Sequence, residues 1–316
     1  MRIFVLCVCA VLAAVIAPIA AGSQLIDRNA SQVSLKVNAK GEALMTYKAG
    51  GKLKRVLAWG AVNAIPPNQT KPQVKFQLDY SGGYGKYHSN TYYLNFKGSC
   101  LPYDGPALSW EVAACKAPDG SYWALQAWQR GLPDYGINPS PAQAAWELRL
   151  SHWKGELPVL DIHTDWSYHR YDQLFGTYSY GGVPVYGFHA TSAGVPLDTY
   201  GRNIYVDTFG SAYGSGWKRE NSFLTHTGSG AFCYGFYLFD PTEGGYHYPP
   251  GQSGKRGPGT GAQYRLFAEG PGVTPDVAVL VPAFHAFDGR NSADVELERQ
   301  QAALIASWGD KSCRLS

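Results

Sequence analysis

From residue 157 to residue 240 the chain is cut into short runs of Val, Tyr and Phe by Gly, Pro and Asn. β-branched and aromatic residues suit a pleated, half-buried backbone, and the interrupting residues turn the chain. The stretch therefore reads as a stack of short strands. Charged groups are sparse in it, yet several Asp and His residues fall among the rings, where an open placement would line a cleft.

The same alternation recurs on both sides. Residues 32–59 carry Val33, Leu35 and Val37 at every second position, with turns at 38–41 and 49–51, which predicts a three-stranded meander. VKFQLDY (74–80) and TYYLNFKG (91–98) read as a strand pair across a glycine-rich turn. Residues 108–114 and 122–128 add two strands, and 145–152 resumes the alternation through Trp146, Leu148 and Leu150 before 157–166 continues it. Residues 264–269 and 277–282 close the series. The segments 130–145 and 241–263, rich in Gly and Pro, are expected loops.

One helix is predicted, over residues 291–308. Leu297, Gln301, Leu304 and Trp308 recur at helical spacing, while Val295, Ala302, Ile305 and Ala306 widen the apolar side. Asn291 or Ser292 can cap its first turn. The expected fold is mainly β, with antiparallel, sandwich-like sheets and one C-terminal amphipathic helix. A soft boundary near residue 155 separates an N-terminal β-rich region, 23–155, from a C-terminal one, 156–316, and a single continuous domain fits the same pattern.

Met1 and Arg2 precede the apolar run IFVLCVCAVLAAVIAPIAA, which ends in the small residues Ala20, Ala21, Gly22 and Ser23. These are the three parts of a secretory leader, assigned to residues 1–22. A run of about 19 apolar residues also approaches the length of a membrane span. Pro18 breaks the helix before the small residues, however, and no further apolar span follows. Cleavage is expected, with no stable membrane insertion afterwards, and the protein is expected to be secreted or held at the cell envelope. In such a compartment the four cysteines beyond the leader, Cys100, Cys115, Cys233 and Cys313, favour two disulfides, with Cys100–Cys115 and Cys233–Cys313 the local scheme.

Lys and Arg total 27 against 24 Asp and Glu, and the leader takes one of the bases, Arg2. That balance gives no electrostatic reason for a nucleic-acid partner. With 22 Tyr and 9 Trp the chain can cover sheet faces or build a platform for sugar rings.

Three constellations carry possible chemistry. Asp161, His163 and Asp165 share one face of a strand by period two, with Ile162 on the other, and such a set could hold a divalent metal, with His169, Asp172 or Asp207 as a further ligand. Asp165, Asp207 and Glu220 lie near Trp166, Tyr205 and Trp217, so a pair of these acids could hydrolyse a glycosidic bond while the rings bind the sugar. Lys218, Arg219 and Glu220 read as a solvated turn. No nucleophile elbow or phosphate-cradling loop is present. Two functional classes follow: an extracellular binding or structural protein with an aromatic surface for a glycan or an envelope protein, and a secreted glycoside or metal-dependent hydrolase centred on residues 161–226. The first is favoured, because contact residues abound and no catalytic pattern is complete.

Overall fold

The computed structural model describes residues 23–66, 73–129, 145–185, 203–211, 214–223, 230–236, 259, 261–281 and 284–309. The chain opens with β1 (Gln24–Arg28), then runs β2 (Ser31–Val37), β3 (Ala43–Ala49), β4 (Lys52–Trp59) and the short β5 (Gln77–Asp79). A helical turn, α1 (Tyr84–Tyr87), and a 3-10 turn (Tyr92–Leu94) lead to β6 (Leu101–Pro102), β7 (Glu111–Lys116), β8 (Tyr122–Trp128) and β9 (Glu147–Trp153). The second half holds β10 (Val159–Ser167), β11 (Tyr171–Tyr180), β12 (Val183–Pro184), β13 (Ile204–Ser211), β14 (Gly214–Phe223), β15 (Ala231–Gly235), β16 (Gln263–Ala268) and β17 (Val277–Val281), then α2 (Ser292–Ser307).

These strands form four antiparallel sheets that pack as two sandwiches. In the first, β2-β3-β4-β5 faces β1-β9-β8-β7-β6. Period two along β3 and β4 sends Met45, Tyr47, Val56 and Ala58 inward to meet Trp123 and Leu125 of β8 and Leu148 and Leu150 of β9. In the second, the sheet of β10, β11, β12 and β15 faces β14-β13-β16-β17, with Leu174, Phe232, Val206, Tyr264 and Leu266 between them. The Cys100–Cys115 disulfide ties the approach to β6 onto β7. Cys233 on β15 is also disulfide-bonded, and Cys313 lies outside the described residues.

Every residue of β9 is buried, which a strand with one wet face cannot be. Leu148 and Leu150 face the first core, while Glu147 and Arg149 look the other way, toward the second sandwich. There Arg149 bonds Glu147 and Glu269, and Gln126 brackets the backbone of Asp276 through both its donor and its acceptor. Trp128 Nε1 donates to Asp276 Oδ2 at 2.6 Å, and Tyr178 of β11 donates to the carbonyl of Glu269. The two sandwiches thus meet across a buried polar junction in which most groups are paired.

Two expectations change. TYYLNFKG forms the 3-10 turn and extended chain rather than a strand. Gly82 and Gly83 turn the chain with φ of 70° and 113°. The rings of Tyr87 and Tyr92 then stack at 4.2 Å over the second face of the meander, their hydroxyls on Glu42. In α2, capped by Asn291 Oδ1 on the N–H of Ala293, the half-buried stripe is Leu297, Gln301, Leu304 and Trp308, with Ile305 fully buried. Val295, Ala302 and Ala306 face solvent, so the apolar side is narrower than the sequence suggests.

Candidate functional site

The outer face of the β14-β13-β16-β17 sheet is built from alternate residues. Tyr205, Asp207 and Phe209 of β13 pair with Phe267, Arg265 and Gln263 of β16, while Asp207 and Phe209 pair with Arg219 and Trp217 of β14. Tyr205 and Phe267 stack at 5.3 Å, and the Arg219 guanidinium lies 4.7 Å over each ring. Trp110 and Trp128 from the first sandwich close over this end.

The other end is open. Phe209 is 41% exposed and Leu280, across from Arg265, is 63% exposed. Arg265 lies 4.4 Å over the ring of Trp217 and 5.7 Å from that of Trp110, so a guanidinium sits between two indoles. Asp207 holds it there: one carboxylate oxygen accepts from Arg219 Nε at 2.6 Å, the other from Arg265 Nη2 at 2.8 Å. A cleft of about 60 Å³ runs in where this face meets the first sandwich, lined by Trp110, Trp128, Trp146, Gln129, Asp207 and Arg265 among others. Trp146, at its rim, is 50% exposed. A broader hollow near Tyr92 and Phe96 is lined largely by the turns 38–40 and 95–99, and the Tyr92 hydroxyl there is engaged by Glu42.

The predicted site residues are placed as follows. Tyr205 is 0% exposed and Trp166 3% exposed, so both are core rings; Trp166 is tied by its Nε1 to the carbonyl of His285. Trp217 lies on the open face. Arg219 is not in a solvated turn but buried in mid-strand, where its charge is matched by Asp207. The Glu220 side chain and His226 lie outside the described residues.

Asp161, His163 and Asp165 do lie on the α2 side of β10, with Ile162 in the core. Asp161 and His163 are 3.1 Å apart, and His163 stacks on Phe175 beside Trp308. Asp165 is buried and turns back to accept the N–H of Trp166 at 2.6 Å. Burial pushes its carboxyl up to about 7, with Glu298 adding to the rise. His169, in a left-handed turn at φ 53°, instead meets Glu298 at 2.6 Å. Among the described residues no three His, Cys, Asp or Glu side chains converge to hold a metal ion.

Asp165 lies beneath α2, whereas Asp207 sits on another sheet, clasped by two arginines. Asp165 and Asp207 thus belong to different sheets, and the side chain of the third candidate acid, Glu220, lies outside the described residues. Asp172 lies on the opposite face of its sheet from Asp165, buried and pushed up to about 6 by desolvation, its carboxylate accepting the N–H of Gly259.

Arg265, Phe209 and Trp110 were not singled out by the sequence pattern, and Trp146, read there only as part of a strand, lies just before β9 with its ring half-exposed. The available signal was the alternation Gln263, Arg265, Phe267 in QYRLFA, interleaved with the core residues Tyr264, Leu266 and Ala268. Comparison with known protein families, curated proteins and solved structures finds no match to this chain.

Proposed function

We propose that the protein is a secreted or envelope-associated binding protein that holds a glycan on the open end of its aromatic and guanidinium face. The observation that carries this reading is the row of Phe209, Trp217, Arg265 and Trp110 leading into the cleft beside Trp146. A sugar ring offers an apolar C–H face and an equatorial rim of hydroxyls. Indole and phenyl faces bury the first, while a guanidinium fixed by a buried carboxylate donates to the second without losing further freedom. Arg265 is half-paired in this sense: Asp207 orients it through Nε and Nη2, and its guanidinium lies 4.4 Å over the Trp217 ring.

Stacking adds about 0.5–1.5 kcal/mol per aromatic contact, so two or three rings give roughly 5- to 2,000-fold in affinity. That is the range of reversible retention on a polymer, where repeated sites add avidity. The direct experiment is retention of the purified mature protein on a panel of insoluble cell-wall and plant polysaccharides, at low and high salt. Salt-insensitive retention on at least one neutral polymer supports the reading. Failure on all of them rejects the glycan and leaves an envelope protein as the ligand of the same face.

A further inference from the structure

The near balance of charge over the whole chain conceals a local excess. Residues 31–100 hold ten Lys and Arg against two acids, Glu42 and Asp79. Both acids are buried, and both are already engaged. Asp79 accepts from the N–H groups of Ser81 and Lys86, while Glu42 accepts from Lys86 Nζ at 2.6 Å and from the Tyr92 hydroxyl at 2.7 Å. Among the bases, Lys54 pairs with Asp27, and Arg55 lies 4.0 Å over the ring of Tyr93. Lys36, Lys40, Lys48 and Lys97 are exposed, and none of them meets a carboxylate among the described residues.

Three of these four gather at one hollow on the outer face of the first sandwich. Lys36 lies opposite Leu44 across the β2–β3 ladder, and Leu44 packs with Phe96, so Lys36 shares a face with that ring. Gly98 runs beside its stem, where a methyl group would come within 3.7 Å of Lys36 Cβ. Lys40 and Lys97 line the hollow itself, about 370 Å³, together with Tyr92, Asn95 and Phe96. Its frame is fixed. Asn38 Oδ1 accepts from the N–H groups of Lys40 and Glu42 at 2.9 and 3.1 Å, the N–H of Ser99 donates to the Val37 carbonyl at 2.7 Å, and the Cys100–Cys115 disulfide anchors the next residue. Tyr92 and Phe96 meet edge to face at 6.0 Å. Such a volume suits a small ligand unit, and ammonium groups beside rings suit one that is both cyclic and anionic.

We propose that this hollow is a second binding site, which takes a carboxylate-bearing sugar unit of an anionic polysaccharide, its ring toward Tyr92 and Phe96 and its charge between Lys40 and Lys97. Phe96 is recessed, 8% exposed, which favours a ligand unit that enters over a flat bilayer surface. The choice of a glycan over a nucleic acid rests on the secretory reading of the leader. The site itself does not depend on the neutral-glycan reading of the Trp217 and Arg265 face, which belongs to the other sandwich.

The test measures binding of the purified protein to polygalacturonate and to its methyl-esterified form, which keeps the sugar and masks the charge. A single-stranded oligodeoxynucleotide and vesicles of equal parts phosphatidylcholine and phosphatidylserine serve as the other polyanions. Salt is set at about 0.01 and 0.15 M, across which the screening length falls from roughly 30 to 8 Å. The expected result is binding to polygalacturonate that weakens with salt and is at least about tenfold weaker on the esterified polymer. The double variant Lys40→Gln, Lys97→Gln is expected to lose about tenfold on polygalacturonate, and Lys52→Gln with Lys75→Gln, exposed bases of the same segment, less than about twofold. Melting curves check that both variants fold. Equal losses in the two double variants would mean diffuse attraction to the basic segment and would overturn the site. No binding to polygalacturonate, or tighter binding to the oligonucleotide or the vesicles, would overturn the anionic glycan as its ligand. Retention on neutral polymers is read separately, so either site can fail without the other.

Discussion

Two buried side chains with opposite responses to pH test the placement of individual residues. His152 lies flat on the Trp123 ring at 3.8 Å, with Ser121 Oγ at 2.9 Å from its Nε2. Burial pulls it down to about 4, so it is neutral when folded and takes a proton on unfolding. Its contribution is full above the unfolded value of about 6.5 and is lost as pH falls toward 4, by up to about 3 kcal/mol. Asp165 does the reverse. Raised to about 7, it is protonated when folded and ionises on unfolding, so it costs stability as pH rises from about 4 to 7. Denaturant unfolding across this range should show Asp165→Asn gaining roughly 2–4 kcal/mol on wild type at pH 8 and nothing at pH 4. His152→Gln should flatten the acid limb instead. A gain for Asp165→Asn that is the same at both pH values would mean that the carboxylate is not held protonated.

At the level of the element, legibility followed periodicity. The meander of β2, β3 and β4 and the strands β8, β16 and β17 were readable because one face of each meets a core, which leaves an alternating trace. TYYLNFKG misled because its tyrosines serve as a lid over Leu44 and Leu57, and strand-like letters say nothing about that. In α2 the stripe was readable, but its width was not: only one line of side chains reaches the sheet beneath. The expected outcome is that Ile305→Ala, against Phe175, costs about 2–4 kcal/mol, while Val295→Ala changes stability by less than about 0.5 kcal/mol. Equal losses by chemical denaturation would mean that the helix covers the core with a broader face.

Across the whole molecule, the candidate site arises from long-range assembly. Trp110 and Trp146 flank strands of the first sandwich, whereas Trp217, Phe209 and Arg265 belong to the second, and only the register of β13 with β14 and β16 aligns the latter three. Sequence proximity instead drew attention to Trp166 and Tyr205, whose rings the fold spends on its interior. The same registers make the central claim testable by substitution. Trp146→Ala removes a half-exposed ring at the rim of the cleft, and Phe209→Ala removes one from the open face, so neither should disturb the cores. Trp166→Ala removes a core ring and should lower stability by about 3–5 kcal/mol. The decisive measurement is retention of these three variants on the polysaccharide that holds the wild type, each checked for folding by its melting curve. The account predicts that Trp146→Ala and Phe209→Ala melt like wild type yet each lose roughly tenfold in affinity, while folded Trp166→Ala binds as wild type does. Undiminished retention by the first two, or loss confined to the third, would contradict it.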